Sequence, residues 1–246
     1  MNTENKSTLR RLGEKQAHWD YQLALAGNPN TGKSTVFNAL TGLRQHTGNW
    51  PGKTVTRAEG FFKYESKYYR LIDLPGTYSL LSASLDEEIA RDFILFGRPD
   101  CVIIVVDATC LERNLNLALQ VLEITGRAVV ALNLMDEARR KGILVNAETL
   151  SADMGVPVVP LSARTKEGIP CLLRTLAQVV TGKISSHPHR ATKSGAFRKA
   201  LDTLVPMIEE MYPGLPNAEW IAIRLLDGDE RIRRAVREGE LKGLME

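Results

Sequence analysis

The chain carries, at positions 27–34, the sequence Gly27-Asn-Pro-Asn-Thr-Gly-Lys-Ser34. An apolar run at 23–26 precedes it and an apolar segment with helical periodicity at 35–40 follows it, so it forms a glycine-rich turn between a strand and a helix. In that context the spacing G-x-x-x-x-G-K-S is typical of a phosphate-binding P-loop. Its backbone N–H groups curl around a phosphate at the helix start, where the dipole favours an anion. The alternative, a turn that matches by chance, is disfavoured by these flanking elements.

Each residue type in this turn has a chemical reason. Gly27 and Gly32 permit backbone conformations that a side chain would block. Lys33 would reach the β- and γ-phosphates, and the Ser34 hydroxyl would ligate Mg²⁺. We therefore predict a site for a nucleotide and magnesium whose contacts come from the whole turn and the residue after it: Gly27, Asn28, Asn30, Thr31, Gly32, Lys33, Ser34 and Thr35.

The composition is that of an ordinary globular protein. The 246 residues are 43% hydrophobic and 25% charged, and the net charge of +3 does not by itself argue for nucleic-acid or membrane binding. No apolar run approaches the ~20 residues that span a bilayer, and the N-terminus lacks the apolar region of a secretory signal. Cys101, Cys110 and Cys171 are scattered, which favours free thiols over a disulfide or a metal site. These features predict a cytoplasmic chain.

Strand-like and helix-like segments alternate through the first three quarters of the chain. Apolar runs at 101–106 and 128–132 are typical of parallel strands buried on both faces, and a helical pattern lies between them. The β-prone segments at 54–64 and 68–73 suit a hairpin. This alternation predicts an α/β fold with a doubly wound, mostly parallel sheet of the P-loop small-GTPase type.

Two local patterns add detail to this fold. Residues 42–51 are rich in Gly, Asn, Thr and Pro and show no hydrophobic period, which predicts a long loop. The helical pattern at 111–125 places Leu115, Leu119 and Leu122 on one apolar face.

The chain divides into three parts. Residues 1–20 are polar and predict an N-terminal tail, and residues 21–181 form the nucleotide-binding domain. A polar linker begins near residue 181, and the patterns beyond it are helical only. We therefore predict a small all-helical subdomain over 182–246.

The identity of the base is indicated by Asn133-Leu-Met-Asp136, directly after the strand at 128–132. Guanine offers two neighbouring N–H donors that one carboxylate accepts, whereas adenine lacks both and would leave Asp136 unpaired. Asn133 can bond the other edge of guanine and tie loops together. A backbone amide at Ser162-Ala163, after the next strand, could meet the guanine oxygen. The alternative is that Asn133 caps a helix and Asp136 follows it by chance, and the presence of Ser162-Ala163 after the next strand makes this interpretation less favoured. The predicted base contacts are Asn133, Met135, Asp136, Ser162, Ala163 and Arg164.

Asp73-Leu-Pro-Gly76 ends the strand at 68–73. Asp73 can hold Mg²⁺ through water, and the Gly76 amide can approach a γ-phosphate because no Cβ intrudes. Thr54 is the predicted second hydroxyl on Mg²⁺, and Gly52 and Lys53 flank it in the same loop. A simple strand-ending turn is the alternative reading of 73–76. Loops that contact the γ-phosphate are ordered when a triphosphate is bound and are released when it is hydrolysed. This makes 43–56 and 75–85 the two predicted switch regions.

The residue after Gly76 is Thr77, where hydrolytic GTPases often have a glutamine that orients water. We therefore expect slow intrinsic hydrolysis, or dependence on another charge near the β–γ bridge. Asn30 could hold a monovalent cation there through its side-chain oxygen. From the residues alone, an asparagine tolerated in a left-handed turn is the slightly favoured reading of Asn30.

Six segments together resemble the ferrous-iron transport protein B (FeoB) family, closely over residues 21–181 and more loosely over the helical tail. The pair Gly48-Asn-Trp-Pro-Gly52 and Asp73-Leu-Pro-Gly-Thr-Tyr-Ser-Leu80 is the specific part, since many GTPases share the P-loop and the Asn-x-x-Asp pattern. The other segments are the P-loop itself, Val106-Asp-Ala-Thr109, Leu111-Glu-Arg-Asn-Leu115 and Asn133-Leu-Met-Asp-Glu-Ala138.

The resemblance implies the cytoplasmic N-terminal part of a bacterial inner-membrane protein, with slow GTP hydrolysis coupled to Fe²⁺ uptake. The expected cofactors are GTP or GDP, Mg²⁺ and K⁺. The expected partners are a C-terminal transmembrane Fe²⁺ permease region of the same protein and small Feo accessory proteins, with homo-oligomer formation left open. The helical tail is similar to the family's guanine-dissociation-inhibitor subdomain.

The resemblance also implies potassium stimulation, with Asn30 as a ligand and the backbone near Asn49 and Trp50 closing over the ion. This implication overrides the conformational reading of Asn30. Lys53 and Thr56 depart from the family pattern, which usually has Val and Glu around Thr54. A cation at Lys53 would compete with potassium or alter switch closure. The residues predicted to act in hydrolysis are Asn30, Lys33, Thr54 and Gly76.

Two other functions share these guanine motifs. A soluble RNA-linked GTPase of ribosome assembly or tRNA modification is the first, but residues 184–246 show no GXXG loop and no basic, aromatic-interleaved sheet face. The arginines of the last helical pattern are surrounded by acidic residues, which is typical of a solvated face. We therefore predict no nucleic-acid partner. The second alternative function is a binding switch in which GTP hydrolysis is incidental.

Overall fold

The structure is a computed structural model that describes residues 18–42, 45–51, 53–81, 84–190, 195–215 and 217–241. It contains a seven-stranded sheet in the order β2-β3-β4-β1-β5-β6-β7. The pairs of β1 with β4 and β5, of β5 with β6 and of β6 with β7 are parallel, and the two pairs that involve β3 are antiparallel. The strands are β1 Tyr21–Gly27, β2 Gln45–Asn49, β3 Thr56–Tyr64, β4 Lys67–Asp73, β5 Cys101–Asp107, β6 Ala128–Asn133 and β7 Val158–Pro160.

Helices cover both faces of this sheet, which confirms the predicted doubly wound α/β fold. The alternating side chains of β1 show the two cores: Ala24 and Ala26 face one hydrophobic cluster, and Leu23 and Leu25 face the other. The helices are α1 Lys33–Thr41, α2 Leu85–Phe96, α3 Leu111–Ile124, α4 Met135–Arg140, α5 Ala147–Met154, α6 Ile169–Val180, α7 Gly195–Met211, α8 Ala218–Leu226 and α9 Glu230–Arg237.

Three local predictions differ from the structure. The predicted long loop at 42–51 contains strand β2, because its backbone pairs with β3 despite the absence of an apolar pattern. Helix α4 was not predicted, since its six residues are too few to show a period. The predicted apolar face of α3 is wrong at one position: Leu122 is buried and Leu115 packs against the core, whereas Leu119 is 47% exposed. The buried residues of α3 are Asn114, Leu117, Ala118, Val121, Leu122 and Ile124.

The residues described after 195 form helices α7, α8 and α9, and no strand lies among them. Part of the predicted linker lies against the nucleotide-binding domain, because His187 N–H donates to Gly155 O at 2.9 Å and His189 N–H donates to Met154 O at 3.2 Å. The boundary at 181–182 stays a prediction. None of the helices in the described ranges has both the length and the apolarity needed to cross a bilayer.

Ion pairs join the helical subdomain to α2, the helix that follows the second predicted switch region. Arg91 of α2 is fully buried, and its guanidinium donates to Asp229 at the start of α9 at 2.7 Å. Asp92 accepts from Arg231 of α9 at 2.9 Å. A fully buried arginine that lost its partner would carry an uncompensated charge, so this contact fixes α9 on α2.

Candidate functional site

The P-loop lies between β1 and α1, and its two glycines are required for different reasons. Gly32 has φ of 79°, the left-handed region, and a Cβ there would lie 2.4 Å from Asn133 Nδ2. Gly27 has no such φ, but a Cβ there would lie 2.8 Å from Val105 O of the neighbouring strand. The predicted conformational reason therefore holds for Gly32, whereas close packing on β5 explains Gly27. Ser34 and Thr35 are exposed in the first turn of α1.

At the phosphate end, Lys33 Nζ donates to the Asp73 carboxylate and to Leu74 O, the latter at 2.7 Å. Burial raises the pKa of Asp73 above its usual range, and Lys33 offsets only part of that effect. Gly76 lies over the P-loop, since a Cβ there would be 3.6 Å from Pro29 N. The structure thus places Asp73 against Lys33 and Gly76 against the P-loop. Their phosphate and magnesium contacts stay predictions, and a phosphate contact requires Lys33 to exchange its partners.

At the base end, Asn133 joins two loops. Its Nδ2 donates to Thr31 O of the P-loop at 2.9 Å, and its Oδ1 accepts from Ala163 N at 3.0 Å. The side chain is only 1% exposed. The predicted tie between loops is present, but it uses the Ala163 amide. The contact of a backbone amide at Ser162-Ala163 with the guanine oxygen stays a prediction.

The Asp136 carboxylate lies beside this tie. Its own backbone N–H donates to Ser162 Oγ at 3.0 Å, and its Oδ2 accepts from the Arg164 guanidinium at 3.1 Å. Burial raises the pKa of Asp136, but the hydrogen bonds from Arg164 and Ser162 outweigh it and hold that pKa below the ordinary value. An ionised carboxylate that accepts two N–H donors matches the guanine edge. Met135 is the first residue of α4, where its N–H donates to Leu161 O at 3.2 Å.

The first predicted switch region is placed at the edge of the sheet. Asn49 ends β2 opposite Thr56 of β3, and Lys53 N–H donates to Trp50 O at 2.9 Å. Thr54 is exposed. Strand β3 lies two positions from β1, about 10 Å across the sheet. The predicted magnesium and potassium contacts of Asn49, Trp50 and Thr54 stay predictions, and Gly52 lies outside the described residues.

Side-chain contacts hold this segment against α2. The Trp50 ring is buried, with its centroid 5.4 Å from that of Phe93 and 5.2 Å from the Arg57 guanidinium. Lys53 Nζ lies 3.1 Å from Glu88 Oε1. The lysine that departs from the family pattern is thus paired with α2.

Asn30 is exposed and has φ of 67°, the left-handed region in which asparagine is enriched. This backbone conformation accounts for the residue type without an ion. The role of Asn30 as a potassium ligand stays a prediction.

Sequence reasoning assigned no role to the start of α3, although it noted the segment 111–115. Asn28 Nδ2 donates to Arg113 O at 3.3 Å, and the Arg113 guanidinium lies 4.4 Å from the Tyr78 ring centroid. Gln120 Oε1 accepts from Leu80 N at 2.6 Å. These residues are distant in sequence, so no local pattern could have joined them.

Comparison with known proteins agrees with this geometry. The family model described as Ferrous iron transport protein B matches residues 21–176. The chain belongs to the FeoB family. An Fe(2+) transporter FeoB of Escherichia coli K12 is 41% identical over 211 residues, which are 84% of this chain and 27% of that relative. A fusion of Fe(2+) transport protein A with FeoB from Porphyromonas gingivalis is 40% identical over 227 residues, which are 91% of this chain and 27% of the fusion.

A solved FeoB structure has the same fold. The cytosolic domain of the T. maritima FeoB iron transporter in GDP form I superposes with a TM-score of 0.81 at 35% identity, and the match covers 92% of this chain and 87% of that one. The predicted fold class, a P-loop domain with a helical subdomain, is thereby confirmed. This FeoB chain spans about a quarter of the length of the curated relatives that it matches, at 27%.

Proposed function

We propose that this FeoB chain binds GTP and GDP and hydrolyses GTP slowly, as the switch domain of a ferrous-iron transporter. The observation that carries the proposal is the link from Asn133 to both the P-loop and the loop of Ala163, with the Asp136 carboxylate beside it. This link supports a role of Asp136 as the acceptor that selects guanine next to a phosphate-binding turn. GDP in the T. maritima FeoB structure supports the same nucleotide class.

The residues present also fit a phosphate group and a magnesium ion. Lys33 supplies a positive charge for phosphate, and Ser34 and Asp73 supply the oxygen donors that magnesium prefers. When bound, magnesium neutralises charge on the phosphate oxygens. Lys33 would leave Asp73 and Leu74 to meet phosphate, Asp73 would then be free to hold a metal-bound water, and Thr54 would approach from the sheet edge.

Slow hydrolysis follows from the second switch region. Thr77 is 5% exposed and too short to orient water as a glutamine does. The reaction would then depend on the Gly76 amide and on charge near the P-loop. Potassium held by Asn30, with the backbone of Asn49 and Trp50, is our proposal for part of that charge.

The names of the relatives, Fe(2+) transporters, support a role in Fe²⁺ transport. We propose that the chain lies at the cytoplasmic face of a bacterial inner membrane and couples nucleotide state to a permease region of the same protein. The P. gingivalis fusion supports a small Feo protein as a partner. The ion pairs between Arg91 and Asp229 and between Asp92 and Arg231 provide a direct path from α2 into the helical subdomain.

Nucleotide selectivity tests the proposal. We expect tight binding of fluorescent GDP, weak binding of ADP, and a loss of GDP affinity of at least about 100-fold in Asp136→Asn, with a gain for xanthosine diphosphate, whose base carries an oxygen where guanine has its amino group. Asp202→Asn removes an exposed carboxylate of α7 and serves as the matched control. Equal affinity for GDP and ADP, or an Asp136→Asn variant that binds GDP normally, would overturn the proposal.

A further inference from the structure

Arg113 contacts both the P-loop and the residues that follow Gly76. Its carbonyl accepts the 3.3 Å hydrogen bond from Asn28 Nδ2, and Asn28 is 2% exposed. Its guanidinium stacks over Tyr78 at 4.4 Å from the ring centroid. The start of α3 is therefore fixed to the P-loop through the backbone of Arg113, while its side chain holds a residue of the second switch region.

A second contact from the same helix reinforces this arrangement. Gln120 lies about two helical turns after Arg113 and so on a similar side of α3. Its Oε1 accepts from Leu80 N at 2.6 Å. Residues 78–80 thus run along α3 with one contact at each end, and Gly76 lies against Pro29 of the P-loop.

We propose that Arg113 is a positioning residue for GTP hydrolysis, which holds residues 76–80 on α3 so that the Gly76 amide stays over the phosphate end of the P-loop. This inference rests on the proposed function. Because Thr77 is short and buried, the placement of the Gly76 backbone has to supply what a long water-orienting side chain supplies elsewhere. A planar guanidinium over an aromatic ring is suited to this role, since it restrains the segment without a covalent or buried-charge contact.

The test is a set of variants of the whole chain, measured for GTP turnover and GDP affinity. Arg113→Ala should lower kcat about three- to five-fold, the range expected for a half-exposed cation–π contact, and leave the Kd of fluorescent GDP unchanged. Arg113→Lys keeps a cation over the ring and should recover most of the rate. The kcat of Tyr78→Ala should equal that of Arg113→Ala, and the kcat of Tyr78→Phe should equal that of the natural chain. The double variant of Arg113→Ala and Tyr78→Ala should lose no more kcat than either single variant.

Amide hydrogen exchange gives a readout that does not depend on turnover. In the nucleotide-free chain, and again with GDP present, the amides of residues 76–80 should exchange faster in Arg113→Ala, and those of 133–136 should exchange at the natural rate. Arg174→Ala, which removes an exposed arginine of α6, should change neither region. Additive losses in the double variant, an unchanged kcat, or unchanged exchange at 76–80 would overturn the role of Arg113. Failure of the natural chain to bind GDP or to hydrolyse GTP would instead overturn the proposed function, and the exchange result would still decide the contact.

Discussion

The two ends of the nucleotide cleft are built differently. At the base end, one buried side chain, Asn133, bonds the P-loop on one side and the loop of Ala163 on the other, at 2.9 and 3.0 Å. At the switch end, residues 49–51 and 53–54 lie beside the edge strand β2, held by the packing of Trp50 and by the Lys53–Glu88 pair.

The difference lies in what each contact costs to break. Breaking the Asn133 bonds leaves buried donors and acceptors without partners, whereas Lys53 and Glu88 are each about one third exposed, so their pair contributes little. The part of the site that selects the base is therefore rigid. The part that would sense a γ-phosphate is held by weaker contacts, as a switch requires.

The largest effect should come from Asn133→Ala. It leaves Thr31 O and Ala163 N buried and unpaired, so we expect a loss of about 2–4 kcal/mol in the free energy of unfolding and a loss of GDP affinity of at least about 100-fold. Urea denaturation and fluorescent-GDP titration measure the two quantities. Asn114→Ala removes an equally buried asparagine that bonds only Cys110 O of its own helix. We expect that control to keep its GDP affinity. Equal losses of GDP affinity in both variants would contradict a specific role of Asn133 in joining the two loops.

Gly76→Ala should separate folding from catalysis at the phosphate end. A Cβ there meets Pro29 N at 3.6 Å, an ordinary contact, so stability should change by less than about 0.5 kcal/mol. The added methyl would intrude where the amide approaches a γ-phosphate, so GTP turnover should fall at least about ten-fold while GDP affinity is kept. Gly32→Ala is the contrasting variant, because its left-handed φ and its 2.4 Å approach to Asn133 should reduce both stability and GDP binding. A Gly76→Ala variant with normal turnover would contradict the proposed role of that amide.

The smallest effect should come from the pair that anchors the movable end. If Lys53 holds residues 49–54 at the edge through Glu88, then Lys53→Val and Glu88→Gln should both raise GTP turnover in potassium about two- to three-fold. If the lysine charge instead competes with potassium, Lys53→Val should raise the rate and Glu88→Gln should lower it. Turnover in potassium and in sodium distinguishes the two, and Asn30→Ala should abolish any potassium advantage. Equal rates in both salts for the natural chain would remove the potassium proposal.

Most of the fold could be predicted from local patterns. The buried strands β5 and β6 are continuous apolar runs, and the P-loop is recognisable from its glycines and its neighbours. Strand β2 could not be predicted, since Gln-His-Thr-Gly-Asn has no apolar period and its pairing depends on β3. One position of the apolar face of α3, Leu119, was also predicted wrongly, because helical spacing alone does not show which leucines the packing leaves exposed.

The amino-acid sequence by itself determined the residue types on which the proposed chemistry of this FeoB chain rests: the glycine-rich turn, the Asp136 carboxylate and a short threonine after Gly76. These depend on residue types at fixed local spacing, which a sequence displays directly. The tertiary structure alone decided that Ala163 N–H is used by Asn133, that Lys53 pairs with Glu88, and that Arg113 joins the P-loop to Tyr78. Each of these contacts joins segments far apart in the chain, and only the order of the strands and the packing of the helices bring them within bonding distance.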